Sequence, residues 1–179
     1  TMQRLSVNIS LWIAWSSFVV YGSLLPFEYR TLTLDQAIAG FRNLPFLQLG
    51  IESRADWVAN GVLYVPVGLL TTRLLLAVFG GRGIWVAILL ASVYGVVLAS
   101  AVEFVQLFSP PRVVSQNDLI AECIGSLLGA LVAPWLTPWA ARLRGFWRQG
   151  GRRLLLGLLE VYVAVYLLQS MFPFDLLLD

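Results

Sequence analysis

Acidic and amide side chains at helical spacing are the residues of this chain that could carry chemistry. They form three pairs, each three or four residues apart, with one arginine between the second pair and the third: Asp56 and Asn60, Glu103 and Gln106, Arg112, and Asp118 and Glu122. Residues three or four apart share one face of a helix, so each pair presents its polar groups together. Carboxyl and amide groups bind hydroxyls and amides, whereas an arginine guanidinium binds phosphate or carboxylate as a bidentate fork.

Several residue types that support catalysis are missing from the sequence. It has no His, and all 12 of its cationic side chains are arginine, which excludes an imidazole base, a His metal ligand and a Schiff-base lysine. The single cysteine, Cys123, excludes an intramolecular disulfide and a paired-cysteine metal site. The formal charge is only +2, with no polybasic tail. We therefore expect no metal, no cofactor and no nucleic-acid partner.

The elements that position these residues must be membrane helices. Hydrophobic residues make up 59% of the 179 residues and charged residues 12%, whereas a soluble domain carries about 45–50% and about 25%. A helix of about 20 apolar residues crosses a bilayer, and five segments fit this length: residues 7–25, 57–79, 84–108, 119–139 and 154–172. We expect an all-α integral membrane bundle of five transmembrane helices, forming one domain over residues 1–179.

The first long loop, residues 26–56, carries the signal of a short amphipathic helix. Thr33 and Gln36 form the sequence pattern of a capping box, and apolar residues follow at helical spacing as far as Phe41. Pro45 ends the pattern. We expect a short amphipathic interfacial helix here, lying on the outer membrane surface and covering the bundle.

The arginines are distributed unequally between the two sides of the predicted bundle. Eight fall on one side and four on the other: Arg4, Arg73, Arg82, Arg142, Arg144, Arg148, Arg152 and Arg153 against Arg30, Arg42, Arg54 and Arg112. The arginine-rich side of a membrane protein is cytoplasmic, so we expect the N-terminus in the cytoplasm and the C-terminus outside. We interpret residues 140–153, which hold five arginines and no acid, as a cytoplasmic loop.

This topology brings the three polar pairs and Arg112 to one depth, in the outer leaflet. Ionisable residues inside a membrane are costly, and a cluster of them indicates a functional site by default. A packing explanation also stands, because buried polar groups join membrane helices and Gly125-x-x-x-Gly129 is typical of a close-packing face. Asp118 could act as the N-cap of the fourth spanning helix.

Three ordered segments of the sequence resemble the VanZ-like membrane protein family. Residues 56–68 (DWVANGVLYVPVG) resemble its D-x-x-x-N…P-x-G segment, and residues 100–106 (SAVEFVQ) resemble its S-x-x-E-x-x-Q segment. The third resemblance, to its R…D…G-x-x-x-G segment, consists of Arg112, Ser115, Asp118, Gly125 and Gly129. The match covers about residues 56–132. Glu122 departs from the family pattern, in which an asparagine is expected four residues after the aspartate.

The resemblance implies a small multi-pass protein of the bacterial cytoplasmic membrane that works in the cell envelope. The namesake of the family is linked to lowered susceptibility to teicoplanin, a glycopeptide antibiotic. The resemblance supplies no reaction, so the function has to be argued from the polar residues themselves.

Three functions fit the polar residues. The first is binding or handling of an envelope amphiphile, such as a lipid-linked glycan, a phospholipid headgroup or a glycopeptide. Its candidate ligand-binding residues are Asp56, Asn60, Glu103, Gln106, Arg112, Asp118 and Glu122. The second is a membrane scaffold, in a homo-oligomer or with another envelope protein, whose polar cluster is structural. The third is a lipid-active enzyme with paired carboxyl groups as acid and base; the lack of a recognisable nucleophile argues against catalysis.

Overall fold

The computed structural model describes the chain at residues 2–47, 51–80, 83–110, 113–148 and 152–171, and its side chains at 5–47, 54–80, 83–110, 113–136 and 155–164. The regular structure of these residues consists of six helices: α1 (Met2–Leu24), α2 (Leu34–Arg42), α3 (Ile51–Phe79), α4 (Ile84–Gln106), α5 (Gln116–Arg148) and α6 (Arg152–Met171). The expected all-α fold is confirmed. The chain forms two compact units, Thr1–Pro134 and Trp135–Asp179, and a single domain over residues 1–179 stays a prediction.

Four helical stretches are long and apolar enough to cross a bilayer: Leu5–Leu24, Arg54–Phe79, Ile84–Gln106 and Gln116–Leu136. The first four predicted spans coincide with them, with shifts of at most three residues at their ends. The fifth predicted span, residues 154–172, falls on α6, whose described apolar stretch is the shorter Leu155–Ala164. A fifth transmembrane helix therefore stays a prediction.

The predicted cytoplasmic loop at residues 140–153 is wrong for most of its length. α5 continues as a helix to Arg148, and α6 begins at Arg152. Alanine, leucine and arginine are among the strongest helix formers, and they make up residues 140–144 (AARLR) entirely. A run of arginines therefore lengthens the helix instead of ending it.

α3 and α5 pack with their backbones in contact at glycines. A Cβ atom added to Gly125 would overlap the carbonyl oxygen of Gly61, and one added to Gly129 would overlap the backbone of α3. From the opposite side, a Cβ atom on Gly68 would overlap the carbonyl oxygen of Ser126. Small residues let membrane helices approach this closely. The predicted close-packing face of Gly125 and Gly129 is confirmed, and its partner is α3 of the same chain.

α4 and α1 complete the packing of the first unit. α4 approaches α5 at Gly95, where an added Cβ atom would overlap the Ser126 hydroxyl. A buried core cluster joins α1, α3 and α4: Val19, Tyr64, Val67 and Ala99. Aromatic side chains add three hydrogen bonds between the same helices: Trp12 Nε1 to Thr71 Oγ1 (3.0 Å), Trp15 Nε1 to the Leu63 carbonyl oxygen (3.1 Å) and Tyr94 Oη to Ser16 Oγ (3.0 Å). These contacts hold the middle parts of α1, α3 and α4 together.

The short helix predicted from the capping box is present as α2. The Thr33 hydroxyl accepts a hydrogen bond from the Gln36 backbone N–H, and the Gln36 side chain accepts one from the Thr33 backbone N–H. Phe41 lies edge-on against Phe104 of α4, with ring centroids 5.8 Å apart, whereas Leu34 is exposed. α2 therefore covers the C-terminal end of α4, and its position on a membrane surface stays a prediction.

The segment after α2 is fastened to the start of α5. Asn117 Oδ1 accepts from the Leu47 backbone N–H at 2.8 Å, and Asn117 Nδ2 donates to the Leu47 carbonyl oxygen at 3.2 Å. Gln116 donates from its backbone N–H to the Pro45 carbonyl oxygen (3.0 Å) and from Nε2 to that of Leu44 (2.7 Å). Two adjacent amide residues thus hold one stretch of loop against the first turn of α5.

Arg30 fastens the segment after α1 to the C-terminal end of α4. Its backbone N–H donates to the Phe108 carbonyl oxygen at 2.7 Å, and its Nε donates to the Leu107 carbonyl oxygen at 3.0 Å. The last carbonyl groups of a helix have no partner within the helix, and arginine side chains commonly satisfy them. Hydrogen bonds therefore connect the segment after α1 to the end of α4, and the segment after α2 to the start of α5.

Replacing Asn117 with alanine should lower the free energy of unfolding by about 1–2 kcal/mol. Both hydrogen bonds to Leu47 are lost, and Asn117 is only 4% exposed. Thermal unfolding of the detergent-solubilised protein measures the effect. Asn43→Ala is the matched control, because the Asn43 side chain donates only to the carbonyl oxygen of Ala39 in its own helix. Equal melting temperatures for the two variants would show that the contact with Leu47 adds no stability.

Candidate functional site

The ends of four helices enclose a polar cavity of about 370 Å³. Its lining comes from α1, α3, α4, α5 and the loop before α5: Gly22, Ser23, Asp56, Ala59, Asn60, Leu63, Glu103, Gln106, Val113, Asp118 and Glu122. Six of the seven sequence-predicted site residues belong to this lining. The seventh, Arg112, lies outside the described residues, and its role as an anion contact stays a prediction.

The direction of the helices explains why these residues meet. α1 and α4 end at the cavity, whereas α3 and α5 begin there. The last turns of two helices therefore lie beside the first turns of the other two. Each predicted polar pair lies within about three turns of the helix end that faces the cavity. The structure therefore gathers the three pairs at one end of the bundle.

Asp118 is held by two donors of the protein itself. Its Oδ1 accepts from Asn60 Nδ2 at 2.8 Å, and its Oδ2 accepts from the Ser115 hydroxyl at 2.6 Å. Hydrogen bonds to an ionised carboxylate are stronger than those between neutral groups. The Asp118 side chain therefore ties the start of α5 to α3, which is a structural role in addition to its place in the cavity wall.

The prediction that Asp118 is an N-cap is wrong. α5 begins at Gln116, and the residue before it, Ser115, caps the helix by accepting from the Asp118 backbone N–H at 3.2 Å. Serine is among the preferred N-cap residues because its oxygen satisfies a backbone N–H of the first turn. The helix starts three residues before the apolar run at Leu119, so hydropathy alone sets its beginning too late.

The two amide side chains of the lining direct a nitrogen at the protein. Gln106 Nε2 donates to the Ser23 carbonyl oxygen at 2.8 Å, which joins the end of α4 to the end of α1. Asn60 Nδ2 donates to Asp118 Oδ1, which joins α3 to α5. In both residues the amide nitrogen is used inside the protein, and among the described residues no donor reaches the amide oxygen.

Glu103 and Glu122 are the two buried acids of the lining, each only 2% exposed. Within the described part of the chain, Glu122 Oε2 has no hydrogen-bond partner. The Glu122 carboxyl group interacts electrostatically with those of Glu103 and Asp118. A buried polar atom without a hydrogen bond costs several kcal/mol. Glu122 is therefore a residue of the cavity lining with a buried oxygen whose hydrogen-bonding capacity is unused among the described residues.

Tyr64 is a polar residue next to the cavity that the sequence did not single out for the site. It is fully buried on α3 one turn beyond Asn60, and its side chain interacts electrostatically with Glu122 and Glu103. Its hydroxyl has no hydrogen-bond partner among the described residues. The spacing of Tyr64 from Asn60 places both on one face of α3, which is the signal that could have drawn attention to it.

No pattern in the sequence predicts the small and apolar residues of the lining. Gly22, Ser23, Ala59, Leu63 and Val113 contribute wall and space instead of charge. Ser23 accepts the hydrogen bond of Gln106 through its backbone carbonyl group, and no pattern of side chains predicts such a contact.

The described residues offer hydrogen-bonding groups and not a metal site. Within the described ranges, no group of three or more His, Cys, Asp or Glu side chains is arranged to hold a metal ion. The polar side chains of the cavity carry carboxyl and amide groups, and two of the carboxyl groups, those of Glu103 and Glu122, are buried. Such a lining can bind and orient a polar group that donates hydrogen bonds.

Comparison with known proteins assigns the chain to one family. No curated protein and no solved structure matched the chain. A family profile described as VanZ/LLP1 matches residues 2–137. This match covers α1 to α4 and the part of α5 that lines the cavity, and it extends the resemblance seen in residues 56–132 to the first helix. The chain therefore belongs to the VanZ/LLP1 family.

Proposed function

We propose that this protein binds the polar headgroup of an envelope amphiphile in the cavity at the ends of α1, α3, α4 and α5. Suitable amphiphiles are a lipid-linked glycan, a phospholipid or a lipophilic glycopeptide. The observation that carries the proposal is Glu122, a residue of the cavity lining whose buried Oε2 lacks a hydrogen-bond partner among the described residues. A headgroup that donates a hydrogen bond would supply the missing partner.

The size and position of the cavity support an amphiphile. Its volume of about 370 Å³ falls within the range of small-molecule sites, about 300–1,000 Å³. The helices that form it expose large apolar side chains on their outer faces, including Val62 and Val97. A polar cavity beside an apolar helix surface suits a molecule with a polar head and an apolar tail.

The same proposal includes the placement of the protein in a membrane. Because eight of the twelve arginines fall on the opposite side of the predicted bundle, the cavity opens at the outer leaflet of the bacterial cytoplasmic membrane. The N-terminus is then cytoplasmic, and α2 lies at the outer surface beside the cavity. α6 serves as a fifth span, which leaves the C-terminus outside.

A scaffold function is favoured by one observation, the hydrogen bonding of Asp118. Both of its carboxyl oxygens accept from donors of the protein, so this residue contributes to packing whether or not a ligand binds. The scaffold function does not account for Glu122 Oε2. The face of Gly125 and Gly129, which could have served as an interface, contacts α3 of the same chain. A homo-oligomer would need another surface.

Filling the cavity should abolish retention of the amphiphile. Ala59 is an exposed residue of the cavity wall, and in Ala59→Phe the larger side chain occupies space that the headgroup needs. Native mass spectrometry of the protein in lipid nanodiscs measures which lipids stay bound to it. We expect the wild type to retain one lipid class selectively and Ala59→Phe to carry only bulk lipid.

The control for this experiment is Val62→Phe on the same helix. Val62 is 62% exposed and does not line the cavity, so the added ring meets lipid instead of the headgroup. Selective retention should survive in this variant. Retention of the same lipid by Ala59→Phe and the wild type would overturn the proposal.

A further inference from the structure

The polar atoms that the described lining offers to a ligand are mainly hydrogen-bond acceptors. Asn60 and Gln106 both use their amide nitrogens on protein acceptors, at 2.8 Å in each case. Among the described residues, no hydrogen bond occupies their amide oxygens, the Asp56 carboxyl group or Glu122 Oε2, which are therefore available to an occupant of the cavity. An occupant that fits these atoms must bring several donors.

The charge of the described lining points in the same direction. Its ionisable side chains are four acids: Asp56, Glu103, Asp118 and Glu122. Glu122 lies close enough to Glu103 and Asp118 for their carboxyl groups to interact. A cation placed beside Glu122 would offset the cost of holding its carboxyl group in a low-dielectric interior. A neutral hydroxyl group donates a hydrogen bond but brings no compensating charge.

Glu122 shows that this arrangement is more than a cluster of acids. Glu122 lines the cavity and is only 2% exposed. Its Oε2 lacks a hydrogen-bond partner in the described part of the chain. A buried carboxyl oxygen in this situation needs a hydrogen-bond donor, and a charged donor satisfies it best.

We propose that the headgroup bound in the cavity carries a protonated primary amine. This inference rests on the proposed function and names the chemical class of its ligand. A primary ammonium group has one positive charge and three N–H donors. Glu122 takes one donor, and Asp56 and the amide oxygen of Asn60 take the others. Phosphatidylethanolamine is the simplest membrane lipid with this headgroup.

Three phospholipids separate charge from hydrogen bonding in the test. The full chain is placed in nanodiscs that contain equal amounts of phosphatidylethanolamine, phosphatidylcholine and phosphatidylglycerol, and native mass spectrometry measures the retained lipid. The choline headgroup keeps the positive charge without N–H donors, and the glycerol headgroup keeps hydroxyl donors without the charge. We expect a preference of about tenfold or more for phosphatidylethanolamine, the size of one lost hydrogen bond to a charged group.

Two cavity variants and one control test whether the acids of the cavity cause the preference for phosphatidylethanolamine. Glu122→Gln keeps the size of the side chain and removes its charge, and Asp56→Asn makes the same change at an exposed residue, where folding is not at risk. Both should reduce the preference for phosphatidylethanolamine severalfold. Glu28→Gln removes an exposed acid outside the lining and should leave the preference intact.

The outcomes distinguish this inference from the function on which it rests. If phosphatidylglycerol is retained as well as or better than phosphatidylethanolamine, and Ala59→Phe abolishes that retention, headgroup binding stands and the amine is wrong. Phosphatidylcholine retained equally well would also overturn the amine, because no N–H donor would then be needed. If Ala59→Phe changes nothing for any of the three lipids, the proposed function itself fails.

Discussion

Replacing Gly129 with valine is expected to prevent α3 and α5 from packing together. Even a single Cβ atom at this position would overlap the backbone of α3 at Val65 and Leu69. A flexible side chain could move aside, but a helix backbone cannot. Overpacking a well-packed interior commonly costs about 1–3 kcal/mol, and an overlap with backbone on this scale should exceed that range. We expect little or no folded monomer of Gly129→Val.

The measurement for this variant is the yield and melting temperature of the detergent-solubilised protein after size-exclusion chromatography. Gly157→Val in α6 is the matched control, since a Cβ atom at Gly157 has nothing within 4 Å. It should behave like the wild type apart from a small change in helix propensity. A Gly129→Val protein that folds as well as Gly157→Val would mean that α3 and α5 do not pack in the way described.

The second large effect is expected from Asp118→Ala. This substitution removes the acceptor of two hydrogen bonds and leaves Asn60 Nδ2 and the Ser115 hydroxyl without their partner. Hydrogen bonds to charged groups contribute about 1.5–3 kcal/mol each, so we expect a loss of about 3–5 kcal/mol in the free energy of unfolding. Asp118→Asn should cost less, because its amide oxygen can still accept one of the two bonds.

Asp56→Ala separates stability from binding. Asp56 lines the same cavity but is exposed, so its removal should change the melting temperature little while weakening headgroup retention. Thermal unfolding and lipid retention measured on both variants give the comparison. If Asp118→Ala unfolds at the temperature of Asp56→Ala, the carboxyl group of Asp118 does not hold α3 and α5 together.

The sequence predicts most of what positions the cavity. Long apolar segments predict four of the helices. Polar residues three or four apart predict which face of each helix lines the cavity, because such residues lie on one side of a helix. Glu103 and Glu122 stand out since acids inside apolar segments are costly and need a reason. Gly125 and Gly129 predict close packing, although the spacing does not say which helix they contact.

Other features depend on contacts between distant segments, and sequence patterns do not reveal them. Gln116 and Asn117 have no unusual spacing, yet they hold the loop at Leu44 and Leu47. Hydropathy does not predict where α5 begins, because polar residues form its first turn. Nor does it predict the length of the helix, because arginines continue it past residue 140.

The roles of the individual acids also could not be ranked from the sequence. Asp118 and Glu122 look equivalent there, four residues apart on one helix face. In the structure Asp118 has two protein donors, whereas Glu122 Oε2 has none among the described residues. Ser115 reaches Asp118 locally, as the N-cap of α5, whereas Asn60 reaches it only because α3 packs on α5. The difference between the two acids moves the expected ligand contact from the cluster as a whole to Glu122.

The most direct test of headgroup binding is a crystal structure of the wild-type protein grown from a lipidic mesophase doped with bacterial polar lipids. We expect density for a headgroup in the cavity, within hydrogen-bond distance of Glu122 Oε2 and continuous with an acyl chain along the outer faces of the helices. A cavity that holds only ordered water at Glu122, or that is closed by side chains of the protein, would contradict the account.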